Sequence, residues 1–173
     1  MKEYAIELGE QVDLNQLVSE KLPTNYYSKA HESLVILCHD VFVEYNGGIL
    51  LVKRKNYPAK EIFWPVGGRV KRGVPIEISL KHKVKEETGL NLFEIRYLGK
   101  ARTFFSTEPF GHHRGTDTFN LVFNAKGDGN LNLDKYHSSP KIFYKEDVIS
   151  YADDFHPYVK DFISKIFSRD KIS

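Results

Sequence analysis

The segment GGRVKRGVPIEISLKHKVKEETGL, residues 67–90, constrains this chain most, because it joins a glycine turn to a helix whose last turn carries adjacent carboxylates. Ile76, Leu80 and Val84 recur every fourth residue, the spacing of one helix face. Pro75 in the first turn and Gly89 just past the end predict a helix of about three to four turns. Glu86 and Glu87 then share its final turn. There they repel each other and face the negative end of the helix dipole, so keeping both ionised calls for a cation. Magnesium takes oxygen ligands, commonly one or two carboxylates with water and substrate phosphate, and a carbonyl of the Gly67-Gly68 turn can complete the set. The plainer alternative is a solvated pair tied in i,i+4 fashion to Lys83 or to neighbours of Lys85. Glycines bracketing the helix favour the metal-diphosphate reading.

At 173 residues, with 41% hydrophobic and 28% charged content, the chain is expected to build one globular unit with a proper core. A net charge of +2 is too small and too dispersed to point to nucleic acid, although Lys53-Arg54-Lys55 and Lys71-Arg72 suit phosphate. The opening MKEYAIELGEQVDL lacks the apolar stretch of a secretory leader, and no run reaches membrane-spanning length. Cys38 is the single cysteine, which excludes an internal disulfide. A cytoplasmic location is expected, with no membrane partner.

Residues 1–32 read as an N-terminal extension laid onto a main domain at 33–173, with a short helix at 13–22 stopped by Pro23. The run LVILCHDVFV reads as a buried strand, and Asn46-Gly47-Gly48 turns into a second strand, so Asp40 and Arg54 sit on or beside a hairpin. Further strands are expected near 96–105, 118–124 and Ile142, with a polar turn at 126–130. Val159, Phe162, Ile163 and Ile166 mark a final helix, with Asp153-Asp154 as charge at its start. This order predicts an α+β fold, a mixed sheet with helices on both faces.

The segment 67–90 resembles the Nudix box, G-x5-E-x7-R-E-U-x-E-E-x-G-U with U aliphatic. Gly68, Val84, Glu86, Glu87, Gly89 and Leu90 fall in register, whereas Val74, His82 and Lys83 replace the first Glu, the Arg and the Glu after it. The resemblance implies the α/β/α Nudix sandwich and a magnesium cofactor, with manganese as the alternative. Lys83 stands where the family commonly has its base or a metal ligand. A protonated lysine performs neither task. One branch, the GDP-mannose mannosyl hydrolases, also lacks that Glu, and this chain is similar to it over residues 34–147. LLVKRKNYPAKEIFWPVGGRV, Gly115-Thr116-Asp117 and DKYHSSPKIF carry the likeness.

Carried over by position, that likeness makes His137 the catalytic base, with Asp40 and Arg54 near the sugar and leaving group. Arg69 binds diphosphate, Gly67 supplies a carbonyl to the metal, and Glu87, with Glu86 beside it, supplies carboxylate. Phe110, His112, His113 and Arg114 take the neighbourhood of the branch's loop tyrosine, which makes His112, His113 and Arg114 candidate substrate contacts. Tyr136 replaces a metal-binding glutamine of the branch. The implied partner is a nucleoside diphosphate sugar, and a homodimer is expected.

Each residue also has an ordinary reading. A histidine in a polar loop is commonly a surface histidine, and Trp64 beside the glycine turn suits core packing. Asp40 in an apolar strand points to function more strongly, since burying an unpartnered carboxylate costs several kcal/mol. Two other functions stay open: a pyrophosphohydrolase attacking phosphorus with Glu77 or Glu86 as base, and a catalytically silent domain that binds a nucleotide sugar as a regulator.

Overall fold

A computed structural model of the chain describes residues 1–151 and 154–169. In chain order the elements are β1 (Ile6–Glu7), β2 (Glu10–Gln11), α1 (Thr24–Ser33), β3 (Ile36–Tyr45), β4 (Gly48–Arg54), β5 (Phe63–Trp64) and β6 (Val66–Arg69). They continue with α2 (Ile76–Thr88), β7 (Asn91–Phe105), β8 (Thr116–Asp128), β9 (His137–Phe143), α3 (Lys145–Ser150) and α4 (Pro157–Arg169). β1 and β2 form a small ribbon. The remaining seven strands form one sheet in the order β5-β4-β3-β8-β7, with β6 also paired to β3 and β9 to β4. β3 and β8 run parallel while the other pairs are antiparallel, so the sheet is mixed.

The period of two along the central strands sorts their side chains into two cores. Val41, Val43, Leu50, Val52, Leu121 and Phe123 meet Ile76, Leu80 and Val84 of α2 on one face. Phe42, Ile49, Leu51 and Val122 meet Val159, Phe162, Ile163 and Ile166 of α4 on the other. Burial on both faces is why the β3 segment is almost continuously apolar. The result is the expected α+β sandwich with a helix on each face. Trp64 packs in the second core, stacked on Tyr158 at 4.9 Å.

Several local expectations are corrected. The helix expected at 13–22 is only a 3-10 turn at Leu14–Leu17, because the Asp13 side chain caps Asn15 and Val18 is already extended. The true helix of the extension is α1, which Pro23 begins rather than blocks; proline has no N–H to lose at a helix start. β8 continues through Asp128, paired with Asn91, so the polar turn starts three residues later than 126 suggests. His137 is not in a loop. It opens β9, directly opposite Arg54 on β4. Of the charge expected before the last helix, Asp153 lies outside the described residues. Among those residues no helix is long and apolar enough to cross a membrane.

α2 is bounded as its sequence implies, with Pro75 at the N-cap and Gly89 in the left-handed region at φ 74°. Its first free N–H, at Ile76, is accepted by the Glu3 carboxylate at 3.2 Å, so the N-terminal segment caps the helix of the main domain. Arg72 likewise donates to the Leu17 carbonyl at 2.7 Å.

Gly67 on β6 pairs with Asp40 on β3, and a Cβ there would overlap the His39 carbonyl oxygen and come within 2.8 Å of the Asp40 Cα. Gly67→Ala should therefore lower stability by about 1–3 kcal/mol or more through overpacking. Urea denaturation measures this, and an unchanged midpoint would remove the close approach from the account.

Candidate active site

The end of α2 and the start of β9 are tied together by backbone. Asn132 N–H donates to the Thr88 carbonyl at 2.8 Å and Asp134 N–H to the Glu87 carbonyl at 3.0 Å. This brings Glu87, Asp134 and His137 into one cluster, with one ligand atom from each lying within 4.8 Å of the others. His137 Nδ1 bonds Asp134 Oδ1 at 2.8 Å, which leaves Nε2 facing Glu87 Oε2 at 4.0 Å. A carboxylate that holds one ring nitrogen sets the tautomer and direction of the other. Asp134 was not singled out in the sequence, although the D-x-x-H spacing was its signal.

Glu87 is 5% exposed. Its Oε1 accepts from Lys83 Nζ at 2.8 Å, the i,i+4 pair named above as the plainer alternative. That pair accounts for half of the carboxylate only. Oε2 is buried with no hydrogen-bond partner, and a buried unpaired oxygen of this kind is what a cation would satisfy. The unpaired Glu87 oxygen thus fits a divalent ion. Glu86, one residue earlier, points to solvent and lies outside the cluster.

Asp40 sits across the sheet centre, 5% exposed. Its Oδ2 accepts from the Tyr158 hydroxyl of α4 at 2.6 Å. Burial pushes its carboxyl up to about 6, against the opposing pull of the Tyr158 bond and of Arg54; the Glu87 charge adds to the rise. Tyr158 was another residue the sequence did not reveal, since on α4 it reads as one more core position. Arg54 is half-buried and its Nε has no partner, so its side chain enters the site with donor capacity unspent. His39, fully buried beside Asp40, bonds Ser79 Oγ at 2.9 Å, and Ser79 Oγ accepts from Lys71 N–H at 3.0 Å, which pins the glycine turn to α2. Burial drops the His39 imidazole to about 4, so it is neutral near pH 7.

The 106–115 loop splits the three candidate substrate contacts. His112 Nε2 lies 2.9 Å from His31 Nδ1 and 3.6 Å from Glu108, and Arg114 pairs with Glu32 at 3.3 Å. In the structure both fasten α1 to the loop. His113 alone of the three lines an open cavity of about 630 Å³, with Lys55, Asn56, Tyr57, Lys60 and Thr107. Arg69 is exposed on β6 and stacks on Tyr27.

A model of the NUDIX domain matches residues 37–164, about three quarters of the chain and all of the site elements from β3 into α4. The chain belongs to the Nudix hydrolase family. Among its relatives is the low-salt glycan biosynthesis protein Agl8 of Haloferax volcanii, 24% identical over 150 residues, covering 84% of this chain and 91% of that protein. An ADP-ribose pyrophosphatase of Methanocaldococcus jannaschii is 32% identical over 111 residues, 64% of this chain and 63% of that protein. A MutT Nudix hydrolase from Burkholderia pseudomallei shares the fold, with a TM-score of 0.62 at 19% identity over 76% of this chain and 98% of the other. Nudix hydrolases generally use divalent metals such as magnesium, and the unpaired Glu87 oxygen matches that requirement.

The Asp40 carboxyl leads to a pH prediction. Its folded value of about 6 exceeds the ordinary 3.8, so its contribution to stability is complete below about pH 4 and is lost as pH rises through 6. In chelator, the wild type should lose on the order of 3 kcal/mol relative to Asp40→Asn between pH 4 and pH 7. Urea titrations at the two pH values test this; parallel stabilities for both proteins would mean that Asp40 titrates normally.

Proposed function

We propose that this Nudix hydrolase cleaves a nucleoside diphosphate sugar of the GDP-mannose kind by attack of water at the anomeric carbon. The observation that carries the reading is the His137 imidazole, held by Asp134 with Nε2 turned toward the unpaired Glu87 oxygen. Lys83, where Nudix enzymes commonly have a base, is instead bonded to Glu87. The remaining base of suitable character in the cluster is His137.

In this mechanism His137 Nε2 takes a proton from water as its oxygen forms a bond to the anomeric carbon. The bond from that carbon to the diphosphate oxygen breaks, and its electron pair leaves with the nucleoside diphosphate. The sugar is released with inverted configuration. Arg54 and Arg69 bind the diphosphate, and their planar forks suit two phosphate oxygens at once. Asp40, ionised near pH 7 with its carboxyl at about 6, accepts from a sugar hydroxyl. Glu87 and the Gly67 carbonyl would hold magnesium, or manganese, whose charge would offset that of the departing diphosphate. Glu86 is left to solvent. His113 and the adjoining cavity receive the nucleoside side of the substrate.

The proposal extends to the chain's setting. Residues 1–32 act as an extension of a single Nudix domain at 33–173, the protein works in the cytoplasm, and two copies associate as a homodimer. Exposed Leu34 and Phe104 support a partner surface, and light scattering would test it. A second reading has support of its own: a relative named ADP-ribose pyrophosphatase favours attack at phosphorus, although Glu77 and Glu86 are both exposed and outside the cluster.

Hydrolysis of GDP-mannose in oxygen-18 water should place label in the sugar. Label in a phosphate would overturn attack at carbon, and tight binding without turnover would favour a silent regulator. His137→Ala should lower kcat by roughly a hundredfold to ten-thousandfold with metal affinity by calorimetry unchanged. Lost metal affinity in that variant would make His137 a ligand rather than the base.

A further inference from the structure

Arg69 has no carboxylate partner among the described residues. Its guanidinium instead lies over the Tyr27 ring, 4.4 Å from the centroid. Arg54 also enters the site with an unpartnered Nε, whereas Arg72 is spent on the Leu17 carbonyl, Arg102 on Asp117 and Arg114 on Glu32. A guanidinium stacked on an aromatic face keeps its N–H donors in the plane and pointing outward, free for an anion. Its side-chain freedom is already reduced before any ligand arrives, so less entropy is lost on binding.

Tyr27 is itself held in place. Its ring stands edge-on to Phe110 at 5.2 Å and to His31 at 6.3 Å. His31 bonds His112 at 2.9 Å and Glu32 pairs with Arg114 at 3.3 Å, so α1 is fastened to the 106–115 loop at three points. The Tyr27 phenol is raised by burial while the Arg69 and Lys83 charges act against that rise, which puts it on the cationic edge of the site. All of α1 lies outside the span matched by the Nudix model, 37–164.

We propose that Tyr27 is a positioning residue: its ring presets the Arg69 guanidinium for the substrate diphosphate, and the N-terminal helix thereby completes an anion site that the Nudix core leaves loose. The inference rests on the reading of Arg69 as a diphosphate ligand. It makes α1 part of the substrate site rather than a cover for the sheet. The aromatic face is the working part. A phenylalanine would serve as well as the tyrosine, and an aliphatic side chain of similar bulk would not.

Calorimetric titration of the full chain with inorganic pyrophosphate in magnesium tests this, because pyrophosphate carries the group common to every nucleoside diphosphate sugar. Tyr27→Leu should weaken pyrophosphate binding about twofold to tenfold, the cost of immobilising one long side chain on binding. Tyr27→Phe should bind as the wild type does. Glu32→Gln, which removes the Arg114 pair between α1 and the loop without touching Tyr27 or Arg69, should retain affinity. Arg69→Ala should weaken binding at least as much as Tyr27→Leu. Thermal melting of each variant separates these effects from a loss of fold. If Arg69→Ala weakens binding and Tyr27→Leu does not, the positioning role is wrong while the diphosphate reading stands. If Glu32→Gln weakens binding as much as Tyr27→Leu, α1 acts by attachment alone and the role of the Tyr27 ring is overturned. No binding by the wild type, or none lost in Arg69→Ala, removes the diphosphate reading and the inference with it.

Discussion

Two carboxylates, Asp40 and Glu87, are buried in the site, the Glu87 charge adds to the cost of ionising Asp40, and the site is arranged around their burial. An unpaired buried carboxylate is unfavourable by several kcal/mol. Asp40 meets the problem with the Tyr158 hydroxyl, the nearby Arg54 and a raised affinity for its proton. Glu87 meets it halfway, through Lys83 on one oxygen, and leaves the other bare. The elements that carry these groups follow from the same need. β3 must be central to bury Asp40, and Gly67 must be glycine so that β6 can close against it. α2 must also end where its last turn can be clasped by the 130–137 segment.

The parts of this arrangement that rest on local periodicity were legible in the sequence. α2 is readable from Ile76, Leu80 and Val84 with Gly89 behind them, and α4 from Val159, Phe162, Ile163 and Ile166, because one buried face per helix imposes a repeat. β3 is readable as a run without alternation, since both of its faces are covered. Asp40 was legible too, as a charge inside an apolar strand. What failed was everything decided by pairing across distance. His137 looks like a loop histidine until Arg54 on β4 claims it as a neighbour. Tyr158 looks like core until Asp40 is placed beneath it. In the extension, Pro23 carries both a stop and a start signal. The aromatic contacts of Tyr27 with Arg69 and Phe110, which the local sequence does not contain, accompany the start in the fold.

Lys83 shows how one substitution redistributes chemistry within a conserved shape. A glutamate there would add a third negative group beside Asp40 and Glu87 and draw a further cation into the site. Lysine supplies a positive charge from the protein itself, 2.8 Å from Glu87 Oε1. The local charge becomes less negative, and the position that would hold a base near phosphorus holds a group with no lone pair to offer while protonated. The carboxylate–histidine pair of Asp134 and His137 stands on the other side of Glu87, reached from β9 rather than from α2. A base displaced from helix to strand approaches the bound substrate from a different direction. In the mechanism proposed above, that direction is the physical ground for preferring the anomeric carbon over phosphorus as the electrophile.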